Sequence, residues 1–182
     1  MTSRMLFAAL TFDARSVARL LTIQHDLPLP RDMFRLIGER MLHLTLAYYG
    51  PTQPEREKRI LETLTTIRRH QTPQLRVDSV LLLPSRTSPR VVTLGVEATE
   101  ALTSLNELAQ IEASDAFLPH VTLARLTSSA LEGHPLRLQP HIRALSTYNI
   151  EPFSLYPETV TLFESVRKGD TTYVPITVYP LS

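Results

Sequence analysis

The chain has 182 residues, 43% hydrophobic and 20% charged, with nineteen basic side chains against eighteen acidic ones and no cysteine. This is an ordinary globular composition, long enough to bury one sizeable core. Near-neutral charge excludes a broad nucleic-acid-coating surface, though not a small pocket for one phosphate. The missing cysteines exclude disulfides, a thiolate nucleophile and cysteine-held zinc or iron–sulfur clusters.

In chain order, Met5 to Phe12 is a short apolar run that predicts a buried strand. The run stops at Asp13 and no cleavage site follows, so it does not read as a secretory signal. No apolar segment approaches the roughly 18–20 residues that cross a bilayer. A cytoplasmic protein without a membrane partner is expected. Asp13 is a candidate cap for a helix with Val17, Leu20 and Leu21 on one face. "DLPLPRD" reads as a loop and "MLHLTLAYY" as a strand closed by Gly50-Pro51. "PEREKRILETLTTIRRH" predicts a helix: Pro54 near its start, acids early, bases late, and Ile60, Leu64 and Ile67 on one face. "LRVDSVLLLP" and "RVVTLGVE" predict a hairpin, and Ala98 to Ile111 a further helix. "HVTLARL" predicts a strand. "TSSALEGHPLRLQP" reads as a polar loop. "STYNIEPFSLY", "ETVTLFES" and "TTYVPITVYPL" are the last strand candidates, with "RKGD" a turn. Strands and helices in this order predict an α+β fold with mixed or antiparallel sheets rather than a doubly wound parallel one.

Two stretches repeat: "HLTLA" from His43 and "HVTLA" from His120. On a strand, side chains alternate faces. His43, Thr45 and Ala47 are therefore expected on one face, and His120, Thr122 and Ala124 likewise, with alanine leaving room for a ligand. If the two polar faces meet, two imidazoles and two hydroxyls line one site. That set suits in-line chemistry at a phosphodiester. One imidazole takes a proton from the attacking oxygen, the other gives one to the leaving oxygen, and the hydroxyls hold phosphate oxygens. A single histidine on a strand is usually structural; two copies agreeing at four positions argue for function. Zinc needs three or four ligands, and neither copy brings a nearby third one, so no metal or cofactor is expected. Glycine-rich phosphate loops and a Gly-x-Ser-x-Gly elbow are absent from the sequence.

Arg125 falls on the opposite face by strict alternation, so it reaches the site only past a bulge, past the strand end or around the edge. Phe7, Tyr48 and Tyr49 are candidates for stacking on a base, with core packing the alternative. Arg68, Arg69 and "RTSPR" at 86–90 are candidate RNA-backbone contacts. His25, His70, His134 and His141 read as surface residues.

The motif pair, its spacing and the chain length resemble the 2H phosphoesterase superfamily. "LPHVTLAR" is similar to its RNA 2′,3′-cyclic phosphodiesterase branch, the LigT-like proteins once called 2′–5′ RNA ligases. "RMLFAALTF", "ERMLHLTLAYYG" and "VTLFESVRKGDTTY" extend the resemblance along most of the chain; Tyr48-Tyr49-Gly50 stands where that branch has Phe-Leu-Gly. The resemblance implies one domain over residues 1–182, made of two pseudo-symmetric lobes with two sheets around a central cleft. It implies metal-free hydrolysis of a terminal 2′,3′-cyclic phosphate to a 2′-phosphate, with reversible 2′–5′ ligation open. His43 becomes the proton donor, His120 the proton acceptor, and Thr45, Thr122 and Arg125 the substrate-binding residues. The expected partners are RNA 3′ ends, such as tRNA-like fragments, or cyclic nucleotides, met by a monomer. A small cyclic nucleotide substrate and a non-catalytic RNA-end or nucleotide-binding module stay open as alternatives.

Overall fold

The computed structural model describes residues 3–110, 116–132, 135–168 and 170–181. In chain order the elements are β1 (Arg4–Phe12), α1 (Ala14–Asp26), β2 (Phe34–Leu36), β3 (Leu44–Thr52), α2 (Pro54–Thr65), β4 (Leu75–Leu83), β5 (Val91–Val96), α3 (Glu100–Ala109), β6 (His120–Leu126), α4 (Ser128–Glu132), α5 (Pro135–Ser146), β7 (Phe153–Leu155), β8 (Pro157–Lys168) and β9 (Asp170–Pro180). Short 3-10 turns cover Glu39–Met41 and Thr66–Arg69.

The fold is α+β, as expected. The strands form one nine-stranded sheet in the order β7-β4-β5-β6-β3-β1-β8-β9, with β2 also paired to β6. Every pairing is antiparallel. The expected two sheets are therefore joined edge to edge. The joint is narrow: β3 and β6 share the single pair Leu44↔Val121. Beyond it β6 continues with β2 through Phe34↔Leu126, Arg35↔Arg125 and Leu36↔Ala124. The motif strands are thus neighbours that splay apart, rather than walls facing each other across a gap.

One sheet face carries the main core. Leu6, Ala8 and Leu10 of β1, Leu44 of β3 and Val121 of β6 pack there with Leu20 and Ile23 of α1 and Leu102 and Leu105 of α3. The other face stays open around a small cluster of Phe7, Ala9 and Phe163, with Tyr173 against it. β1 is central and buried on both faces, which explains its unbroken apolar run.

The helices start where their caps allow. Asp13 Oδ1 accepts the Ser16 N–H at 2.7 Å, as predicted. Thr99 caps α3 through the Leu102 N–H. Two expectations fail. "TSSALEGHPLRLQP" is largely helical: Thr127 Oγ1 caps Ala130, and α5 forms despite Pro140 because it buries Ile142 and Leu145. "STYNIEPFSLY" contributes only the three residues of β7, because the α5 helix runs on to Ser146. β2, three residues long, lies just past the Pro-rich loop and carries no periodic signal of its own. No helix among the described residues is long and apolar enough to cross a membrane.

Candidate active site

The junction rung sets the arrangement. Leu44 and Val121 point into the core, so their neighbours point to the open face. Continuing the antiparallel register places His43 beside Thr122 and Thr45 beside His120. All four line one cavity of about 510 Å³. The two halves of the motif thus meet as expected, related by a local two-fold through the rung.

Both imidazoles are held the same way. The Nδ1 of His43 lies 2.6 Å from the Met41 carbonyl, and the Nδ1 of His120 lies 2.7 Å from the Leu118 carbonyl. A carbonyl only accepts, so each Nδ1 carries the proton and each Nε2 is left as the reactive nitrogen. The threonine hydroxyls make no hydrogen bond to any described residue, which leaves them for a ligand.

The environments differ. The His43 ring lies 5.2 Å from Phe7 and 5.2 Å, edge-on, from Tyr173, with Phe163 at 6.4 Å. Burial in this box pushes its pKa from the ordinary 6.5 down to about 4. The Met41 hydrogen bond opposes that shift, while the positive charges of Arg125 and His120 add to it. His43 is therefore neutral at neutral pH in the free protein.

Arg125 reaches the site through a bulge. Val92 pairs with Ala124 and Thr93 with Thr122, which leaves Leu123 as an extra residue in β6. The extra residue flips the phase. Ala124 turns into the core at 0% exposure, and Arg125 emerges into the cavity. The first motif repeats this. Ala8 pairs with Ala47 and Ala9 with Thr45, so Leu46 is extra in β3. Ala47 is buried at 2%, and Tyr48, 45% exposed, stands where Arg125 stands in the other copy. The expectation that the alanines share the ligand face is thus overturned: a bulge residue separates each from its threonine.

A buried amide holds each bulge. Asn106 of α3 donates to the Leu46 carbonyl at 2.7 Å. Gln24 of α1 donates to the Leu123 carbonyl at 2.8 Å and also to the Ile37 carbonyl. Sequence reasoning passed over both. Their signal was a polar residue on an apolar helix stripe, four places after Leu20 and Leu102.

The rest of the wall is the β8–β9 hairpin: Ser165, Arg167, Thr171 and Tyr173. Arg125 Nη2 donates to the Tyr173 hydroxyl at 3.0 Å. Of the stacking candidates, Tyr48 lines the cavity and Phe7 forms its floor, but Tyr49 is buried and donates to the Ala109 carbonyl. Arg90 is exposed beside Val91, which lines the cavity and pairs with Arg125. The side chains of Arg68 and Arg69, and all of His134, lie outside the described residues. His25 is exposed on α1. Among the described residues no three His, Asp or Glu side chains gather as metal ligands.

Residues 13–93, which contain the first motif, match the family model of LigT like phosphoesterases. No curated protein sequence matches the chain. The structure of E. coli LigT complexed with phosphate is similar at 26% identity and a TM-score of 0.73, covering 100% of this chain and 99% of that one. E. coli LigT complexed with NADP+ matches at 25% identity, 98% of each chain and a TM-score of 0.73. A protein of Thermus thermophilus shares the fold at 20% identity, with a TM-score of 0.73 over 97% of each chain. These likenesses support the 2H phosphoesterase superfamily and its LigT-like branch for this chain.

Proposed function

We propose that the protein opens the terminal 2′,3′-cyclic phosphate of RNA to a 2′-phosphate by a two-histidine mechanism that calls for no metal or cofactor. The observation that carries this reading is the pair of imidazoles with Nδ1 fixed on backbone carbonyls and both rings lining one cavity with Thr45 and Thr122. The phosphate-bound and NADP+-bound forms of the LigT relative support a site for phosphate and nucleotide.

The phosphorus sits on the local two-fold, between the histidines. Thr45, Thr122 and Arg125 hold its non-bridging oxygens, the guanidinium through charge-assisted bonds. His120 Nε2 takes a proton from water as the water oxygen bonds to phosphorus. The bond from phosphorus to O3′ breaks, and His43 Nε2 gives its proton to that oxygen. Attack by the 5′-OH of a second strand instead of water, with the same base and acid and the same loss of O3′, is the ligation direction and leaves a 2′–5′ phosphodiester. With a pKa of about 4, His43 is neutral at neutral pH, so it must gain its proton with substrate. The cyclic phosphate is an anion, and an anion beside a desolvated imidazole raises its pKa. The low pKa also supports a second reading, in which His43 is the base and His120 the acid. We read residues 1–182 as one domain of two related halves, acting as a cytoplasmic monomer.

The test is hydrolysis of a short RNA ending in 2′,3′-cyclic phosphate, with EDTA present. Turnover that His43→Ala and His120→Ala both abolish supports the proposal. Binding of the same end without turnover in the wild type would instead identify a binding module. Turnover confined to a small cyclic nucleotide would move the substrate class.

A further inference from the structure

We propose that Tyr173 is a positioning residue of the site, whose hydroxyl holds Arg125 where phosphate binds and whose ring keeps water from His43. The role rests on the reading of Arg125 as a phosphate ligand and of His43 as a proton carrier.

Tyr173 comes from β9, the last strand in the sheet order. It nevertheless touches residues of both motif-bearing halves. Its hydroxyl accepts from Arg125 Nη2 of β6 at 3.0 Å. Its ring lies 5.2 Å from that of His43, just ahead of β3, edge-on at 88°. The ring is seated T-shaped against Phe7 of β1 at 4.9 Å, with Phe163 of β8 at 6.3 Å. One side chain thus spans the junction of the two halves. The hairpin register places it there: Tyr173 pairs with Ser165 and Thr171 with Arg167, and all four line the cavity.

The two contacts use different parts of the residue. A tyrosine presents an apolar body and a polar tip. A guanidinium has five N–H donors, so Arg125 can keep Tyr173 on one and turn others to a phosphate. Held before the ligand arrives, Arg125 loses less freedom on binding. The ring completes the apolar box that Phe7 and Phe163 begin around His43. The charged or titratable groups facing that imidazole are Arg125 and His120 of β6 and Tyr173 itself; Phe7 and Phe163 bring none.

Tyr173→Phe keeps the ring and deletes the hydroxyl, whereas Tyr173→Ala deletes both. Calorimetry measures inorganic phosphate binding to each variant and to wild type. Ring-proton NMR without phosphate follows the titration of His43, identified as the signal missing from His43→Gln. Both variants are expected to bind phosphate about two- to tenfold more weakly, the worth of ordering one long side chain on binding. The His43 midpoint is expected to hold in Tyr173→Phe and to rise by about one unit or more in Tyr173→Ala, as water reaches the ring. A residue that only packs would change Tm and leave the Tyr173→Phe phosphate affinity alone. Unchanged affinity in Tyr173→Phe, no phosphate binding by wild type, or a His43 midpoint that is unmoved in Tyr173→Ala or moves as far in Tyr173→Phe overturns the proposal. Neither readout uses RNA. A protein that meets both expectations and opens no cyclic end removes the proposed reaction and leaves the role of Tyr173 standing.

Discussion

Gln24 and Asn106 make the same hydrogen bond in different halves of the sheet: each is a buried helix amide donating to the carbonyl of an extra residue in a bulged motif strand, Leu123 for Gln24 and Leu46 for Asn106. The bulges turn Arg125 and Tyr48 into the cavity, so the two amides act on the site without touching it. Removing Asn106 takes its donor from the Leu46 carbonyl, and removing Gln24 takes one from the Ile37 carbonyl and one from the Leu123 carbonyl, which keeps the Ile37 N–H at 2.8 Å, at a cost of about 0.5–3 kcal/mol in each case. Gln24→Leu and Asn106→Leu are expected to lose that much stability in denaturant unfolding. Gln24→Leu is also expected to raise KM through Arg125 more than it lowers kcat. Unchanged stability in both would contradict this role for the amides.

The direction of proton transfer is decided by the leaving group. Replacing O3′ of the cyclic phosphate with sulfur gives a thiolate that leaves without a proton. Removal of a general acid typically costs 10²–10⁴ in rate with the oxygen substrate. His43→Ala is expected to lose that much on oxygen and to recover most of it on sulfur, while His120→Ala stays slow on both. Recovery in His120→Ala instead would assign the reversed roles.

Stability should follow the protonation of His43. Its folded pKa, about 4, lies below the ordinary 6.5. Between those values the unfolded chain binds more protons than the folded one. The contribution is therefore fully present above pH 6.5 and is lost as pH falls toward 4, to an extent on the order of 3 kcal/mol. Urea unfolding of wild type at pH 7 and pH 5, beside His43→Gln, measures it. The variant is expected to lose less stability over that interval. Binding of inorganic phosphate near pH 6 should also take up a proton in the wild type, visible as a heat that varies with the ionisation enthalpy of the buffer.

Ala47 and Ala124 test the bulges from the other side. Both pack in the core. Ala124→Leu is expected to overpack it, at a cost of about 1–3 kcal/mol. If Ala124 faced the ligand, the same change would raise KM with little loss of Tm.

These alanines show where sequence reading stopped. His43, Thr45, His120 and Thr122 were legible because each pair needs only the two-residue period of a strand, and the structure keeps that period up to each threonine. The next residue breaks it. What fixes the extra residue is an amide from a helix distant in sequence, Asn106 or Gln24, which no strand pattern contains. The phase of Arg125 is wrong for the site by strict alternation, and a bulge, the strand end and the edge are equally able to correct it from sequence alone; the bulge at Leu123 is what does so. Tyr173 carries no local mark of its role; its contact with Arg125 depends on how the β8–β9 hairpin crosses the sheet. α5 was hidden by Pro140, and its helix survives on tertiary burial. The α+β class followed from element order, whereas the single rung Leu44↔Val121 that merges the sheets is a long-range pairing with no local mark.

The most direct measurement is phosphorus NMR of the product formed from an RNA ending in 2′,3′-cyclic phosphate in ¹⁸O-labelled water with EDTA present. The account predicts a 2′-phosphate carrying one ¹⁸O, formed by wild type and not by His43→Ala or His120→Ala. A 3′-phosphate product, or no product from folded wild type, would contradict it.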